Sequence, residues 1–162
     1  MYMQKIKTIG QALFIAFFFV TSFNVLAQNK YGGLALYTVR NDMSTNARAT
    51  LLAVSEVGYK NIEAAGYEDG KFYGMSPKAF KQMLNELGLN PISTHQGSVT
   101  LENADAMIAD VKAAGFKYFV IPVPPMGLFK YDNATQTMGM TGGAANLAKI
   151  LDTLGEKCEK AG

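Results

Sequence analysis

The chain has 162 residues, with 15 Lys and Arg against 13 Asp and Glu and 49% hydrophobic side chains, a balance that argues against a nucleic-acid partner, whose phosphates call for clustered positive charge. Its single Cys158 cannot close an internal disulfide, and its place on an apolar helical stripe suits a small packed hydrophobe. A chain of this make-up has to be held together by its core.

In chain order, the first segment is MYMQKIKTIGQALFIAFFFVTSFNVLA, residues 1–27. Lys5 and Lys7 precede an apolar run over residues 12–20, and Val25, Leu26 and Ala27 follow it, the layout of a secretory signal peptide. The alternative is a membrane anchor, but the run is nine residues long, well short of the ~20 needed to span a bilayer. No Cys follows Ala27, so lipid attachment is not indicated. The expectation is an exported protein, periplasmic or secreted, with no stable anchor after cleavage. Residues 28–162 then form one domain of 162 − 27 = 135 residues, in which 13 basic residues balance 13 acidic ones.

Beyond residue 30 one arrangement recurs: an amphipathic segment, a Gly, an aromatic or Leu, then a short apolar run. LLAVSEVGYKNIEAAG, FKQMLNELGLNPISTHQG and MIADVKAAGFKYFVIPVPP carry it, with Gly58, Gly88 and Gly115 at intervals of 30 and 27 residues. Glycine just past a helix supplies a left-handed cap, and a strand follows. The spacing predicts strands at about 33–39, 61–65, 90–95 and 118–123. The first helix is weak, with Ala47, Leu51 and Val54. In the second, Ser76 caps, Pro77 takes the first position, and Phe80, Met83, Leu84 and Leu87 make one face. Leu101, Ala104, Ile108 and Val111 mark the third, and Leu147, Ile150, Leu151, Leu154, Cys158 and Ala161 the last. Strands alternating with helices at this period mean βα units on a parallel sheet.

Gly162 ends the sequence where Gly58, Gly88 and Gly115 each precede a strand. Four βα units in 135 residues are close to half of a (βα)₈ TIM barrel, which takes ~250 residues. The alternative is a complete open sheet of four or five strands.

In barrels and open parallel sheets alike, ligands bind at the C-terminal ends of the strands. Those ends read Tyr37-Thr38-Val39-Arg40, Glu63-Ala64-Ala65-Gly66, Thr94-His95-Gln96-Gly97 and Pro122-Val123-Pro124-Pro125. Glu63 is out of place in an apolar strand, where a charge costs several kcal/mol unless paired, hydrated or used. Alternation puts Ser93 and His95 on one face and Ile92 and Thr94 on the other, the polar pair turned into the barrel. Glu63 and His95 are therefore candidate catalytic residues. Against this stand an ion pair of Glu63 with Arg40 or Lys60, and a satisfied core histidine at position 95. One His and one carboxylate do not make a metal site. Two loops are candidates for holding a polar ligand. GYEDGKFYGMS could offer the flat faces of Tyr67, Phe72 and Tyr73 to a sugar ring, and residues 124–141 are either a functional loop or an idle insertion.

The stretches GLALYTVRNDM, VGYKNIEAAGYEDGKFYGMSP, LGLNPISTHQG and IPVPP together resemble the xylose isomerase-like TIM barrels known as sugar phosphate isomerases/epimerases, over about residues 31–162. The resemblance implies an N-terminal half of such a barrel. It also implies an aldose-ketose isomerase or epimerase activity in carbohydrate metabolism, in which carboxylates shuttle a proton beside a sugar carbonyl and a divalent metal (Mn, Mg, Co or Zn) polarises the oxygens. In that family the main metal-binding Glu, Asp and His lie on later strands, so no metal is expected on this chain and it is expected to be inactive alone. Tyr37, Arg40, Glu63, His95 and Gln96 match first-half residues that line the pocket for a small-molecule sugar. The apurinic endonucleases of the same superfamily hold zinc with histidines on the third and fourth strands, and the Pro122-Val123-Pro124 strand end departs from that pattern. Two other expectations stand beside the isomerase half: a non-catalytic carbohydrate-binding α/β module, and an intact small open-sheet domain. A half barrel would also self-associate through its exposed sheet edges.

Overall fold

A computed structural model describes residues 32–123, 128–140 and 142–162. The signal-peptide expectation for residues 1–27, and Pro124 and Pro125, lie outside the described residues. Four strands, β1 (Leu34–Ala35), β2 (Asn61–Ala64), β5 (Asn90–His95) and β6 (Tyr118–Val120), form one parallel sheet in the order β1-β2-β5-β6. Helices α1 (Arg40–Val57), α2 (Pro77–Glu86), α3 (Ala104–Ala113) and α4 (Ala144–Ala161) follow the four strands in turn. Two antiparallel hairpins are inserted, β3 (Tyr67–Glu68) with β4 (Lys71–Phe72), and β7 (Phe129–Asp132) with β8 (Thr137–Met140). The expected βα repeat is therefore present.

Its punctuation follows from the residues named in the sequence. Gly58, Gly88 and Gly115 all take positive φ, at 113°, 64° and 87°, and each turns the chain out of a helix toward a strand. Ser76 Oγ accepts from the Ala79 N–H at 3.3 Å, with Pro77 opening α2. In α1 the predicted face of Ala47, Leu51 and Val54 begins after a break, because Asn46 leaves helical geometry and its Oδ1 accepts from the Ala49 N–H at 3.0 Å. It caps the second segment, while residues 40–45 form a preceding turn of helix that the apolar pattern does not mark. Leu101 is exposed and precedes α3, whose buried face is instead completed by Met107.

The core lies between sheet and helices. Ile62 and Ala64 of β2 are fully buried against Leu51 and Val54 of α1 and Phe80 and Leu84 of α2, together with Phe72 and Phe116. Phe72 stacks on Phe80 at 5.4 Å and meets Phe116 at 5.3 Å. A second cluster under α4 gathers Val99, Met107, Ile108 and Leu154, with Cys158 half-buried beside it. Cys158 is thus the packed hydrophobe its stripe suggested, and burial pushes its thiol pKa up.

This arrangement removes one residue, Phe72, from the ligand-loop expectation. GYEDGKFYGMS forms the tight β3–β4 hairpin, turning through Asp69 and Gly70 at positive φ, the Asp-Gly turn that suits a two-residue loop. Phe72 folds inward, while Tyr67 and Tyr73 are half-buried and line an open cavity with Gly66, Asp69 and Lys71. Phe72 is a core residue, Tyr67 donates to Asp110 Oδ2 at 2.7 Å, and the Tyr73 hydroxyl accepts from the Ala65 N–H at 3.0 Å. Burial of the Phe72 ring outweighs any gain from presenting it to water.

Candidate functional site

Along β2 the side chains alternate. Ile62 and Ala64 point to the helices, so Asn61 and Glu63 point to the opposite, open face of the sheet. Along β5, Ser93 and His95 share that face, as the alternation predicts. A one-residue register shift brings the two sets together: Ile62 pairs with Pro91, but Glu63 pairs with Ser93. Without the bulge Glu63 would sit beside Ile92, whose side chain faces the other way. The extra residue aims the carboxylate at its partners.

Those partners are close. Ser93 Oγ donates to Glu63 Oε2 at 2.7 Å, and His95 Nε2 lies 3.1 Å from Glu63 Oε1. A carboxylate only accepts, so His95 Nε2 carries the proton toward it, which leaves Nδ1 of a neutral imidazole as an acceptor. The side chains of His95 and Glu63 remain 31% and 29% exposed, so a ligand can reach both. Glu63 is thus neither stranded nor paired with Arg40 or Lys60; His95 and Ser93 hold it at the C-terminal end of the sheet.

The other predicted pocket residues stand elsewhere. β1 stops at Ala35, and Leu36–Val39 form a single turn of 3₁₀ helix leading into α1. Tyr37 and Arg40 are therefore not on a strand end as expected, but on this turn and at the start of α1. The reason is Leu36, which is fully buried and draws the chain off the sheet and into a helical turn. Arg40 lies over the Tyr37 ring at 4.7 Å and donates to the Tyr37 carbonyl at 3.1 Å, which makes an exposed pair of their own. Gln96 is 1% exposed and donates to Thr94 Oγ1 at 3.1 Å, so its amide is directed into the protein beside Thr94 and away from the Glu63–His95 pair.

Two more residues join the open face, of which only Tyr118 was not singled out in the sequence. Ser93 was legible by alternation from His95, but its bond to Glu63 depends on the bulge. Tyr118 pairs with Ser93 across β5 and β6 and is 62% exposed. It lies on the same face, and only cross-strand register reveals it.

The architecture is matched among solved structures. Two of them, each a sugar phosphate isomerase/epimerase from Parabacteroides distasonis ATCC 8503, align with TM-scores of 0.59 and 0.62 at 23% and 24% sequence identity. They cover 80% and 86% of this chain, and 50% and 51% of their own chains. The fold is similar to about half of each of these two structures. This chain spans about half the length of those two relatives, and its four parallel strands and four helices correspond to that half of the TIM barrel. No family model and no curated protein matches it.

A divalent metal is the cofactor that isomerase barrels of this type imply, and the donor set tests the fit. Among the described residues no group of three or more His, Cys, Asp or Glu stands together. Glu63 and His95 supply two donors, and those face each other. Catalytic metal sites take three or four protein ligands, so the described residues do not by themselves fit one.

Proposed function

We propose that the chain supplies the substrate-facing wall of a sugar isomerase/epimerase-type site in an exported protein, and that its four βα units alone do not turn over sugars. The observation that carries this reading is the Glu63 carboxylate held between Ser93 Oγ and His95 Nε2 while still open to solvent. Glu63 has lone pairs left to accept from a sugar hydroxyl, and His95 Nδ1 offers a proton-accepting atom at the same strand end. Isomerisation and epimerisation both remove a proton from a carbon next to a carbonyl and return one. A carboxylate–imidazole pair fixed by a third hydrogen bond suits that task. Ser93 fixes the second carboxylate oxygen, so that Glu63 cannot rotate away from the imidazole.

The test uses the purified chain with a panel of aldoses and ketoses, with and without Mn²⁺, Mg²⁺, Co²⁺ or Zn²⁺. The expected outcome is weak saturable sugar binding that falls roughly tenfold or more in Glu63→Gln, since hydrogen bonds to charged groups contribute about 1.5–3 kcal/mol. No interconversion is expected, and calorimetry should find no metal site tighter than roughly 0.1 mM. Binding unchanged in Glu63→Gln would make the Glu63–His95 pair a structural one. Metal-dependent turnover would contradict the assignment of a non-catalytic half.

A further inference from the structure

Past the end of β2 lies a cavity that the Glu63–His95 cluster does not use. Its volume is about 620 Å³, within the roughly 300–1,000 Å³ of small-molecule sites, and none of Glu63, Ser93 and His95 lines it. Its walls are Ser44 near the start of α1, the chain from Ala65 through the β3–β4 hairpin to Gly74, and Ser98 past β5. Tyr67 and Tyr73 are its aromatic walls, and both rings are fixed in place. The Tyr67 hydroxyl bonds Asp110 and its ring meets Phe72 at 5.0 Å. The Tyr73 hydroxyl bonds the Ala65 N–H and its ring meets Phe80 at 5.6 Å. Tyr73 is strained in that position. With Gly74 it forms the centre of a tight turn in which Phe72 and Met75 exchange backbone hydrogen bonds at 2.8 and 2.9 Å. Its φ of 49° is a left-handed conformation that suits Asn, Asp or Gly better than a bulky side chain. What a tyrosine adds to the turn is a ring that packs on Phe80 and lines the cavity. The polar walls are unengaged. Glu68 and Lys71 pair across the hairpin register, yet among the described residues no ion pair joins them, and the Asp69 carboxylate and Ser98 hydroxyl have no partner.

We infer that this cavity is a second binding site and that it takes the ring of a neutral sugar. The C–H face of a sugar ring carries the partial positive charge that the face of an aromatic ring attracts. Carboxylates only accept hydrogen bonds and an ammonium only donates them. Glu68 and Asp69 beside Lys71 therefore suit neighbouring hydroxyls, each of which does both. Two carboxylates against one ammonium disfavour a ligand that carries a phosphate or carboxylate of its own. Rings held in place before the ligand arrives have little freedom to lose when it binds. The site needs a closed ring and its hydroxyls but no carbonyl, which separates it from the Glu63–His95 cluster. The inference stands whether or not that cluster acts on sugars.

The test is an aromatic ¹H–¹³C titration of the full chain, labelled in its tyrosine rings, with methyl glycosides of hexoses and pentoses, whose rings are closed and carry no free carbonyl. The Tyr67 and Tyr73 signals are assigned with Tyr67→Phe and Tyr73→Phe. At least one glycoside should shift both signals saturably. Asp69→Asn keeps a residue that suits the turn at that position, so its circular dichroism should be unchanged, while its affinity should fall about tenfold or more through loss of a charged acceptor. Glu63→Gln should leave the tyrosine shifts as they are, and a methyl hexuronide should bind more weakly than the parent hexoside. Tyrosine signals that no glycoside moves, full affinity in Asp69→Asn, loss of the shifts in Glu63→Gln, or a hexuronide that binds as tightly as the hexoside would each overturn the inference.

Discussion

At the scale of single residues, close approach and burial decide more than charge. Gly66 illustrates it: a Cβ built there would lie 2.2 Å from the Tyr73 ring, and Tyr73 is fixed by its bond from the Ala65 N–H. Gly66→Ala should therefore cost about 1–3 kcal/mol by overpacking, measurable by urea denaturation, and an unchanged midpoint would show that the hairpin yields. Tyr67 gives a pH-dependent counterpart. Its phenol is pushed up to about 12, first by burial, then by its hydrogen bond to Asp110 and that carboxylate's charge. A folded value above the ordinary 10.0 means that the folded chain holds this proton more tightly than the unfolded one. Its contribution is complete below about pH 10 and is lost as pH rises through about 12. The melting-temperature gap between wild type and Tyr67→Phe should narrow across that window; a constant gap would mean that the phenol titrates alike in both states.

At the scale of elements, what was legible in the sequence is what local chemistry determines. β5 has the predicted bounds because a cap glycine precedes it, and α2 starts at Pro77 because Ser76 caps it. Ser76→Ala should cost about 1 kcal/mol, read as a lower thermal midpoint, and no loss would remove the capping bond from the account. Elements decided by tertiary contacts were not legible. Leu36 to Val39 is a sequence of strand-forming types, yet burial of Leu36 turns it into 3₁₀ helix and takes Tyr37 and Arg40 off the strand. The aromatics of the β3–β4 hairpin suited a ligand platform by composition, while contact with Phe80 and Phe116 claims Phe72 for the core and leaves Tyr67 and Tyr73 lining an open cavity. Phe80→Ala, which would open that stack, should cost about 3–5 kcal/mol and leave the chain largely unfolded at 37 °C by circular dichroism; a folded variant would show that the hairpin collapses into the gap. The Glu63–Ser93–His95 cluster falls between these cases. Alternation placed Ser93 and His95 on one face, but the bulge after Ile62 that delivers Glu63 to them left no mark in the sequence.

At the scale of the whole molecule, four βα units build one parallel sheet, and its open face carries a carboxylate that meets both a hydroxyl and an imidazole. The likeness to two sugar phosphate isomerase/epimerase structures covers about half of their length, which gives the fold its place without giving the chain their activity. In the function proposed above, this cluster faces a sugar. His95 is the only histidine in the chain, so its imidazole resonances report on the cluster without overlap. The direct measurement is a long-range ¹H–¹⁵N spectrum of the imidazole during titration with aldoses and ketoses. An Nε2–H tautomer in the free protein is expected, with saturable shifts on addition of at least one sugar and loss of those shifts in Glu63→Gln. An Nδ1–H tautomer, or ring signals that no sugar moves, would contradict it.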